Sequence, residues 1–225
     1  RSILGDTPKL LAPVNDRPFL DYLLDQLQGF GARRVVLCLG HMADRVIEHI
    51  EDISRPGLGL VTVIEPEPLG TAGALRLARG KLGCDPVLVL NGDTFSDADL
   101  CSFLADHKGS GAGLTLLCAQ VDNISRFASI DIDENGYVAR FVEKNPERDG
   151  AGLVSAGVYL FSGAMLDRLA EGIGPSLERD FLAVQPAGSI RAYVFEGSFH
   201  DIGTPDSLAE AHDAILISVK KDKAR

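Results

Sequence analysis

Two aspartates in this sequence stand where a strand-like apolar run gives way to a loop. Asp93 ends the triplet Asn91-Gly92-Asp93, which follows the apolar run Val87–Leu90, and Asp201 follows a later strand pattern. In open α/β sheets, ligands collect at the carboxyl ends of the strands. Mg²⁺ prefers one or two carboxylates together with phosphate oxygens and water. The pattern therefore predicts a magnesium and phosphate site at Asp93 and Asp201, where Gly92 would let a ligand approach the backbone closely.

Each of these aspartates also has a local explanation. Asp93 could cap the helix expected to begin near Asp97, and Asp201 could belong to the loop-to-helix turn that ends at Thr204-Pro205. Lys9 presents the same choice, because a lysine can neutralise a phosphate as a point charge or can be a solvated surface residue. The residue pattern by itself leaves both interpretations open.

The segment between Glu65 and Thr71 has the composition of a ligand-binding loop. Two prolines, one of them Pro68, stiffen the approach, and Gly70 precedes a helix that Thr71 is expected to cap. A helix N-terminus offers unpaired N–H groups, and a carboxylate such as Glu65 can accept hydrogen bonds from a purine edge. The alternative is a plain strand-to-helix connection. The segment has no GxGxxG pattern, so a nicotinamide-dependent oxidoreductase gains no support.

Two further short motifs suit a sugar phosphate. Glu143-Lys144 ends one predicted strand, and Ser155-Ala156-Gly157 begins the next. A carboxylate can bind sugar hydroxyls, and an ammonium group can bind a phosphate. The alternative for Glu143-Lys144 is a solvated charge pair at the end of a hairpin.

Alternating strand and helix patterns must position these residues. Short continuous apolar runs predict strands covered on both faces, at 35–39, 60–65, 87–90, 114–119 and 158–161. Apolar residues at helical spacing predict helices at 18–28, 41–50, 71–82, 97–107, 163–173 and 207–219. Asn135-Gly136 between two alternating segments predicts a β-hairpin. We therefore expect an α/β fold with a mixed, mostly parallel sheet.

Composition argues against several kinds of partner. With 22 Lys and Arg against 32 Asp and Glu, the formal net charge is −10, which disfavours binding to nucleic acid or to an anionic membrane. No apolar run approaches the length of a membrane span. The four cysteines form no CxxC pair, and Cys38 and Cys118 lie in apolar runs. We therefore expect reduced thiols and a cytoplasmic protein.

Taken in order, the motifs resemble those of the sugar-1-phosphate nucleotidylyltransferase family over nearly the whole chain. The residues that carry the resemblance are Pro8-Lys9, Glu67-Pro68-Leu69-Gly70-Thr71, Asn91-Gly92-Asp93, Glu143-Lys144, Ser155-Ala156-Gly157 and Asp201-Ile202-Gly203-Thr204. Within the family, the sequence is most similar to the short bacterial guanylyltransferases that act on manno-heptose 1-phosphate, and those that act on mannose 1-phosphate are close.

The resemblance implies a Rossmann-like three-layer core with an inserted β-rich sugar-binding part. It implies a single domain over residues 1–225, with a nucleotide-binding part over about 1–110, a sugar-binding part over about 111–205 and a C-terminal helix over about 205–221. It also implies one Mg²⁺-dependent reaction, in which an NTP and a sugar 1-phosphate give an NDP-sugar and pyrophosphate. The similarity to guanylyltransferases, together with Glu65, favours GTP as the nucleotide. Several alternatives stay open. The nucleotide could be UTP or dTTP and the sugar a different one, or the protein could be a regulatory paralogue that binds a nucleotide sugar without activity. A homo-oligomer is also possible.

The family's functional residues map onto matching positions of this sequence. The catalytic roles map onto Lys9, Asp93 and Asp201, and the two aspartates are the implied metal ligands. Nucleotide contacts map onto Glu65, Pro68, Gly70, Thr71, Asn91 and Gly92. Sugar contacts map onto Phe127, Ala128, Glu143, Lys144, Ser155 and Gly157.

The sequence departs from the family pattern at four places. The family's Gly-rich loop, of the type GGxGTRL, has no counterpart in the sequence, which begins at Arg1. We expect that loop to precede Arg1 and to be mobile without a bound triphosphate. Asn145 replaces the usual proline after Glu-Lys, Ser155 replaces a common Asn, and Ala128 replaces a common Gly. We expect the last two replacements to alter the sugar pocket.

Overall fold

The structure, a computed structural model, describes residues 7–83, 85–125, 127–142, 147, 149–202, 207–208, 211 and 215. Its helices are α1 (Phe19–Gly29), α2 (Ala43–Asp52), α3 (Gly70–Ala78), α4 (Leu100–Ser110) and α5 (Gly163–Glu171). Its strands are β1 (Pro13–Val14), β2 (Arg17–Pro18), β3 (Arg34–Leu39), β4 (Gly59–Ile64), β5 (Val87–Leu90), β6 (Thr94–Ser96), β7 (Leu114–Val121), β8 (Ser129–Ile132), β9 (Val138–Val142), β10 (Gly152–Phe161), β11 (Arg191–Phe195) and β12 (Phe199–Asp201). Across the described stretches, no helix is long and apolar enough to cross a membrane.

The chain divides into two compact units that are interleaved in sequence. The first unit comprises Arg1–Pro68, Gly92–Asp97 and Ser198–Arg225, and the second comprises Leu69–Asn91 and Ala98–Gly197. The subdivision implied by the family resemblance, with boundaries near residues 110 and 205, stays a prediction.

The first unit contains a β-α-β arrangement. β3 and β4 pair in parallel, with Leu39 opposite Ile64 at their carboxyl ends, and α2 makes the crossover that parallel strands require. A second, shorter ladder pairs β6 with β12 in antiparallel orientation. This ladder was not expected from the sequence, which indicated a loop around Asp201.

The core of the first unit is built around α1. One apolar face of this helix is buried, and its buried apolar residues are Phe19, Leu20, Tyr22, Leu23, Leu24 and Leu27. Leu208, Ala211 and Ile215 are helical, buried and packed in the same cluster as Phe95 and Ile202. Their spacing is that of one apolar helix face, as expected for the predicted helix at 207–219. The other residues of that range lie outside the described residues.

The second unit contains a six-stranded mixed sheet. The strand order is β11-β7-β10-β8-β9, and β5 also pairs with β10. β7 and β11 run parallel, whereas β10 runs antiparallel to β7, β8 and β5. The first half of β10 pairs with β8 and the second half with β5, and its ladder with β7 is irregular between Ser155 and Tyr159. The predicted α/β class with a mixed sheet is confirmed.

The predicted hairpin is present as β8 and β9. Gly136 at its turn has φ +78°, a conformation that favours glycine. The Asp133 carboxylate accepts the backbone N–H groups of Asn135 and Tyr137, each at 2.9 Å. Arg191 Nη1 donates to the carbonyl of Asn135 at 2.6 Å. The local turn signal and a distant arginine therefore fix the same hairpin.

A buried polar pair lies between α4 and β7. His107 is 5% exposed and Thr115 is fully buried, and His107 Nδ1 lies 2.7 Å from Thr115 Oγ1. Burial lowers the pKa of His107 below its usual value of 6.5, because the imidazolium would lose its hydration in the interior. The folded protein therefore holds this histidine neutral at neutral pH.

Acidification should weaken the fold through His107. Between pH 6.5 and the lower folded pKa, the unfolded chain binds more protons at this histidine than the folded chain does. The free energy of unfolding therefore falls as the pH drops below about 6.5. Urea unfolding at several pH values should show that His107→Gln removes this pH-dependent component. His41→Gln, at an exposed histidine, serves as the comparison variant for loss of a histidine. Equal profiles for wild type and His107→Gln would contradict the assignment.

Candidate active site

The β6–β12 ladder brings the two predicted metal ligands together in the first unit. Asp201 is the last residue of β12 and pairs with Thr94, the residue that follows Asp93. The backbone N–H of Ile202 donates to the carbonyl of Asp93 at 2.9 Å. The backbones of the two aspartates are therefore adjacent at one end of a short ladder. Asp201 was expected in a loop, and it is instead fixed by backbone pairing.

Lys9 is the third member of this site. A single 3₁₀ turn, Lys9–Leu11, follows Pro8, and Lys9 Nζ donates to Asp93 Oδ2 at 3.0 Å. The side chains of Lys9 and Asp93 are 47% and 38% exposed. Lys9 is thus an exposed residue that pairs with Asp93, and both charged groups stay accessible to a ligand.

Gly92 helps to place that turn. A Cβ atom at Gly92 would lie 3.2 Å from Leu10 Cδ2, so the missing side chain makes room for the residue beside Lys9. The sequence suggested that Gly92 admits a ligand to the backbone. Gly92 is exposed, and the close neighbour seen in the structure is Leu10.

The local explanation for Asp93 as a helix cap is wrong. α4 begins at Leu100, and its cap is Asp99, whose Oδ1 accepts the N–H groups of Cys101 and Ser102 at 2.9 and 3.2 Å. Asp93 therefore has no capping role at this helix. Its carboxylate instead lies beside the ammonium group of Lys9, and its backbone is adjacent to that of Asp201.

This donor set fits a magnesium ion that is shared with a substrate. Carboxylate oxygens are the hard ligands that Mg²⁺ prefers, and Mg²⁺ commonly keeps one or two of them plus water and phosphate oxygens. The described residues contain no group of three or more His, Cys, Asp or Glu side chains that could enclose an ion. Asp93 and Asp201 would therefore hold the metal only in part, and the substrate would complete its coordination.

Glu65 lies at the carboxyl end of β4, also in the first unit. Its N–H donates to the carbonyl of Leu39 at 2.8 Å, and its carboxylate lies 4.0 Å from where a Cβ atom of Gly40 would be. Burial, and then the negative charge of Glu65, raises the pKa of the Cys38 thiol. Glu65 is half-buried and Pro68 is exposed, so the loop after β4 leaves polar atoms near the surface.

In the second unit, Gly70 and Thr71 begin α3. Gly70 has φ +70°, and a Cβ atom there would lie 2.5 Å from the carbonyl oxygen of Pro175. Thr71 is not the helix cap that the sequence predicted, because its Oγ1 accepts the N–H of Leu177 at 2.9 Å and the cap position is Leu69. The first turn of α3 is thus fastened to a distant segment.

The second unit also joins Asn91 to two of the predicted sugar contacts. The N–H of Asn91 donates to the carbonyl of Gly157 at 2.8 Å. The N–H of Gly157 lies 3.2 Å from Ser155 Oγ, which is itself 3.2 Å from the hydroxyl of Tyr159. Sequence reasoning missed Tyr159, because an aromatic residue in a buried apolar run gives no signal that its hydroxyl is used.

The remaining predicted sugar contacts are only partly described. Phe127 and Ala128 are half-buried and precede β8, and the N–H of Phe127 donates to the carbonyl of Ile124 at 3.0 Å. Glu143 and Lys144 lie outside the described residues. The structure therefore gives no geometry for the predicted Glu-Lys pair.

Comparison with known proteins places the chain among nucleotidyl transferases. The family model for nucleotidyl transferases matches residues 5–218. A D-glycero-alpha-D-manno-heptose 1-phosphate guanylyltransferase from Campylobacter jejuni is 32% identical over 206 residues, which are 92% of this chain and 90% of that protein. A mannose-1-phosphate guanylyltransferase from Mycobacterium tuberculosis is 33% identical over 211 residues, again 92% of this chain but only 58% of that protein. The chain thus spans under two thirds of the length of some relatives.

Solved structures agree with the family match. HddC from Yersinia pseudotuberculosis superimposes with a TM-score of 0.82 at 31% identity, covering 93% of this chain and 90% of that one. The same protein has also been solved in complex with GMP-PN, with a TM-score of 0.81. The predicted Rossmann-like α/β core is therefore confirmed.

Proposed function

Because the chain belongs to the nucleotidyl transferase family, we propose that it transfers a nucleotidyl group from an NTP to a sugar 1-phosphate. The products are an NDP-sugar and pyrophosphate. The observation that carries the proposal is in the first unit, where Lys9 contacts Asp93 at 3.0 Å and the β6–β12 ladder places the backbone of Asp201 next to that of Asp93. Two negatively charged phosphates repel each other unless their charge is neutralised. The Lys9 ammonium group could do this directly, and the two carboxylates could do it through a bound Mg²⁺.

The reaction is a direct displacement. A phosphate oxygen of the sugar 1-phosphate attacks the α-phosphorus of the NTP in line, and the bond from that phosphorus to the bridging oxygen of pyrophosphate breaks. No covalent intermediate on the protein is needed. Lys9 is proposed to offset, with its positive charge, the negative charge on the phosphates. Asp93 and Asp201 would hold Mg²⁺, which when bound neutralises phosphate oxygens and orients them.

The remaining residues are assigned to substrate binding. Nucleotide contacts are proposed for Glu65, Pro68, Gly70, Thr71, Asn91 and Gly92, and sugar contacts for Phe127, Ala128, Glu143, Lys144, Ser155 and Gly157. The hydrogen bond from Asn91 to Gly157 supports a connection between the two sets within the second unit.

GTP is the proposed nucleotide, and manno-heptose 1-phosphate or mannose 1-phosphate is the proposed sugar. Guanylyltransferase relatives at 32% and 33% identity support this choice, as does the solved complex of HddC with GMP-PN. Glu65 is an acceptor-only group that could receive the N–H groups of guanine. We also infer a cytoplasmic protein, because Cys101 and Cys118 form no disulfide among the described residues.

Pyrophosphate release tests the proposal. The protein is assayed with Mg²⁺ over a grid of GTP, UTP, dTTP, CTP and ATP against several sugar 1-phosphates. We expect release with GTP and a manno-configured sugar phosphate, and little release with the pyrimidine nucleotides. Release confined to UTP or dTTP would overturn the choice of base but keep the reaction. Binding of an NDP-sugar without release from any pair would overturn the proposed activity and favour a regulatory protein.

A further inference from the structure

A short segment of the second unit, residues 174–178, fastens the start of α3; we name it the strap. The carbonyl of Pro175 accepts the N–H of Ala72 at 2.9 Å, and the N–H of Leu177 donates to Thr71 Oγ1 at 2.9 Å. Arg76 donates to the carbonyl of Gly174. One end of the strap is thus bound to the helix that begins at two predicted nucleotide contacts.

The other end of the strap reaches the irregular part of β10 through Glu178. The hydroxyl of Tyr159 donates to Glu178 Oε1 at 3.0 Å and lies 3.2 Å from Ser155 Oγ. Tyr159 is fully buried, and burial followed by the charge of Glu178 raises its pKa well above 10. The phenol is therefore neutral and donates its one proton to the carboxylate.

Glu178 stands at the start of a continuous series of hydrogen bonds. Tyr159 contacts Ser155, whose Oγ accepts the N–H of Gly157 at 3.2 Å. The carbonyl of Gly157 then accepts the N–H of Asn91 at 2.8 Å. Gly157 has φ +70°, and the ladder between β10 and β7 is broken between Ser155 and Tyr159. Side-chain bonds replace regular strand pairing in this stretch, so they must hold its conformation.

We propose that Glu178 is a positioning residue for the sugar 1-phosphate. It acts through Tyr159 and holds Ser155 and Gly157 in the conformation that receives the sugar. The proposal rests on the proposed function, which assigns those two residues to the sugar. Glu178 has this effect because Tyr159 is buried, so that its hydroxyl cannot exchange the carboxylate for water without a rearrangement of β10.

Steady-state kinetics with each substrate varied in turn tests the proposal. Glu178→Ala should raise KM for the sugar 1-phosphate about tenfold, because a small misplacement of binding groups has large effects, and should leave KM for the NTP within about twofold. Tyr159→Phe should give the same pattern, since it removes the donor. Glu178→Gln should stay near wild type, because its amide oxygen still accepts the phenol proton.

Asp180→Asn is the matched control. The Asp180 carboxylate accepts the N–H of Ser176 in the strap at 2.8 Å, and no hydrogen bond between Asp180 and Tyr159 is present among the described residues. Asp180→Asn should leave KM for the sugar unchanged. Hydrogen exchange gives a readout that does not depend on turnover: Glu178→Ala, but not Asp180→Asn, should speed exchange in residues 155–159.

The outcomes separate this inference from the proposed function. An active wild type whose sugar KM is unmoved in Glu178→Ala would overturn the positioning role. Equal rises of both KM values, or a Glu178→Gln variant as impaired as Glu178→Ala, would also overturn it and indicate a general loss of structure. A wild type that is inactive on the whole substrate grid would contradict the proposed function itself, and the exchange result would then decide the structural part alone.

Discussion

Asp93→Asn is expected to lower kcat/KM for pyrophosphate release by about a hundredfold or more. The neutral amide would lack the negative charge with which Asp93 is proposed to hold Mg²⁺. The fold should be retained, because the contact from Ile202 uses the backbone carbonyl of residue 93, which the substitution keeps. Loss of the Lys9 ion pair should change the free energy of unfolding by less than about 1 kcal/mol, since both partners are substantially exposed.

Two comparison variants separate metal binding from other roles of Asp93. Lys9→Met removes the same ion pair but keeps the carboxylate, so its loss of kcat/KM should be smaller, about tenfold. Asp97→Asn changes a carboxylate four positions along the chain, whose contact is the N–H of Ser198 at 3.3 Å, and should stay near wild type. Raising the Mg²⁺ concentration should partly restore Asp93→Asn and not Lys9→Met. Near-normal turnover by Asp93→Asn would rule out the metal site proposed here.

Gly70→Ala is expected to have the largest effect on stability. An L-residue at φ +70° loses about 1–2 kcal/mol relative to glycine. The new methyl group would also lie 2.5 Å from the carbonyl oxygen of Pro175, so the strap or α3 must move, and forced overpacking of this kind costs about 1–3 kcal/mol. Urea unfolding should therefore show a loss of about 2–5 kcal/mol in the free energy of unfolding.

Gly80→Ala provides the matched control for this substitution. Gly80 lies in the turn Arg79–Lys81 that follows α3, and no atom lies within 4 Å of a Cβ placed there. Its free energy of unfolding should change by less than about 0.5 kcal/mol. If Gly70→Ala proved as stable as Gly80→Ala, the close contact between α3 and the strap would contribute nothing measurable to the free energy of unfolding.

Local sequence signals were sufficient for the main elements. The apolar run before Asp93 is β5 at the predicted bounds, and the helical spacing of apolar residues after Pro18 is α1. The turn at Asn135-Gly136 lies at the position that the sequence predicted for the hairpin. These predictions succeed because the spacing of apolar residues and the preference of glycine for turns depend only on residues that are close in sequence.

The parts of the candidate site that depend on distant segments were not predictable. Lys9 and Asp93 are 84 residues apart in sequence, and the pattern around Asp201 indicated a loop rather than β12. A strand of three residues is too short to show an alternating pattern, and its partner β6 is equally short. Thr71 was expected to cap α3, whereas its hydroxyl group is used by Leu177. In each case the contact that fixes the residue's position is made with a residue far away in the sequence.

The interleaving of the two units also has a consequence for how the protein is made. The first unit receives its last segment, which begins at Ser198, after about a hundred residues of the second unit have followed Asp97. At about 5–20 residues per second, a ribosome needs on the order of 5 to 20 s to synthesise that stretch. Lys9 and Asp93 therefore leave the ribosome well before Asp201, and the carboxylate pair can form only late in translation. A nascent chain that stops short of β12 would carry the whole second unit but would lack Asp201, one of the two proposed metal ligands.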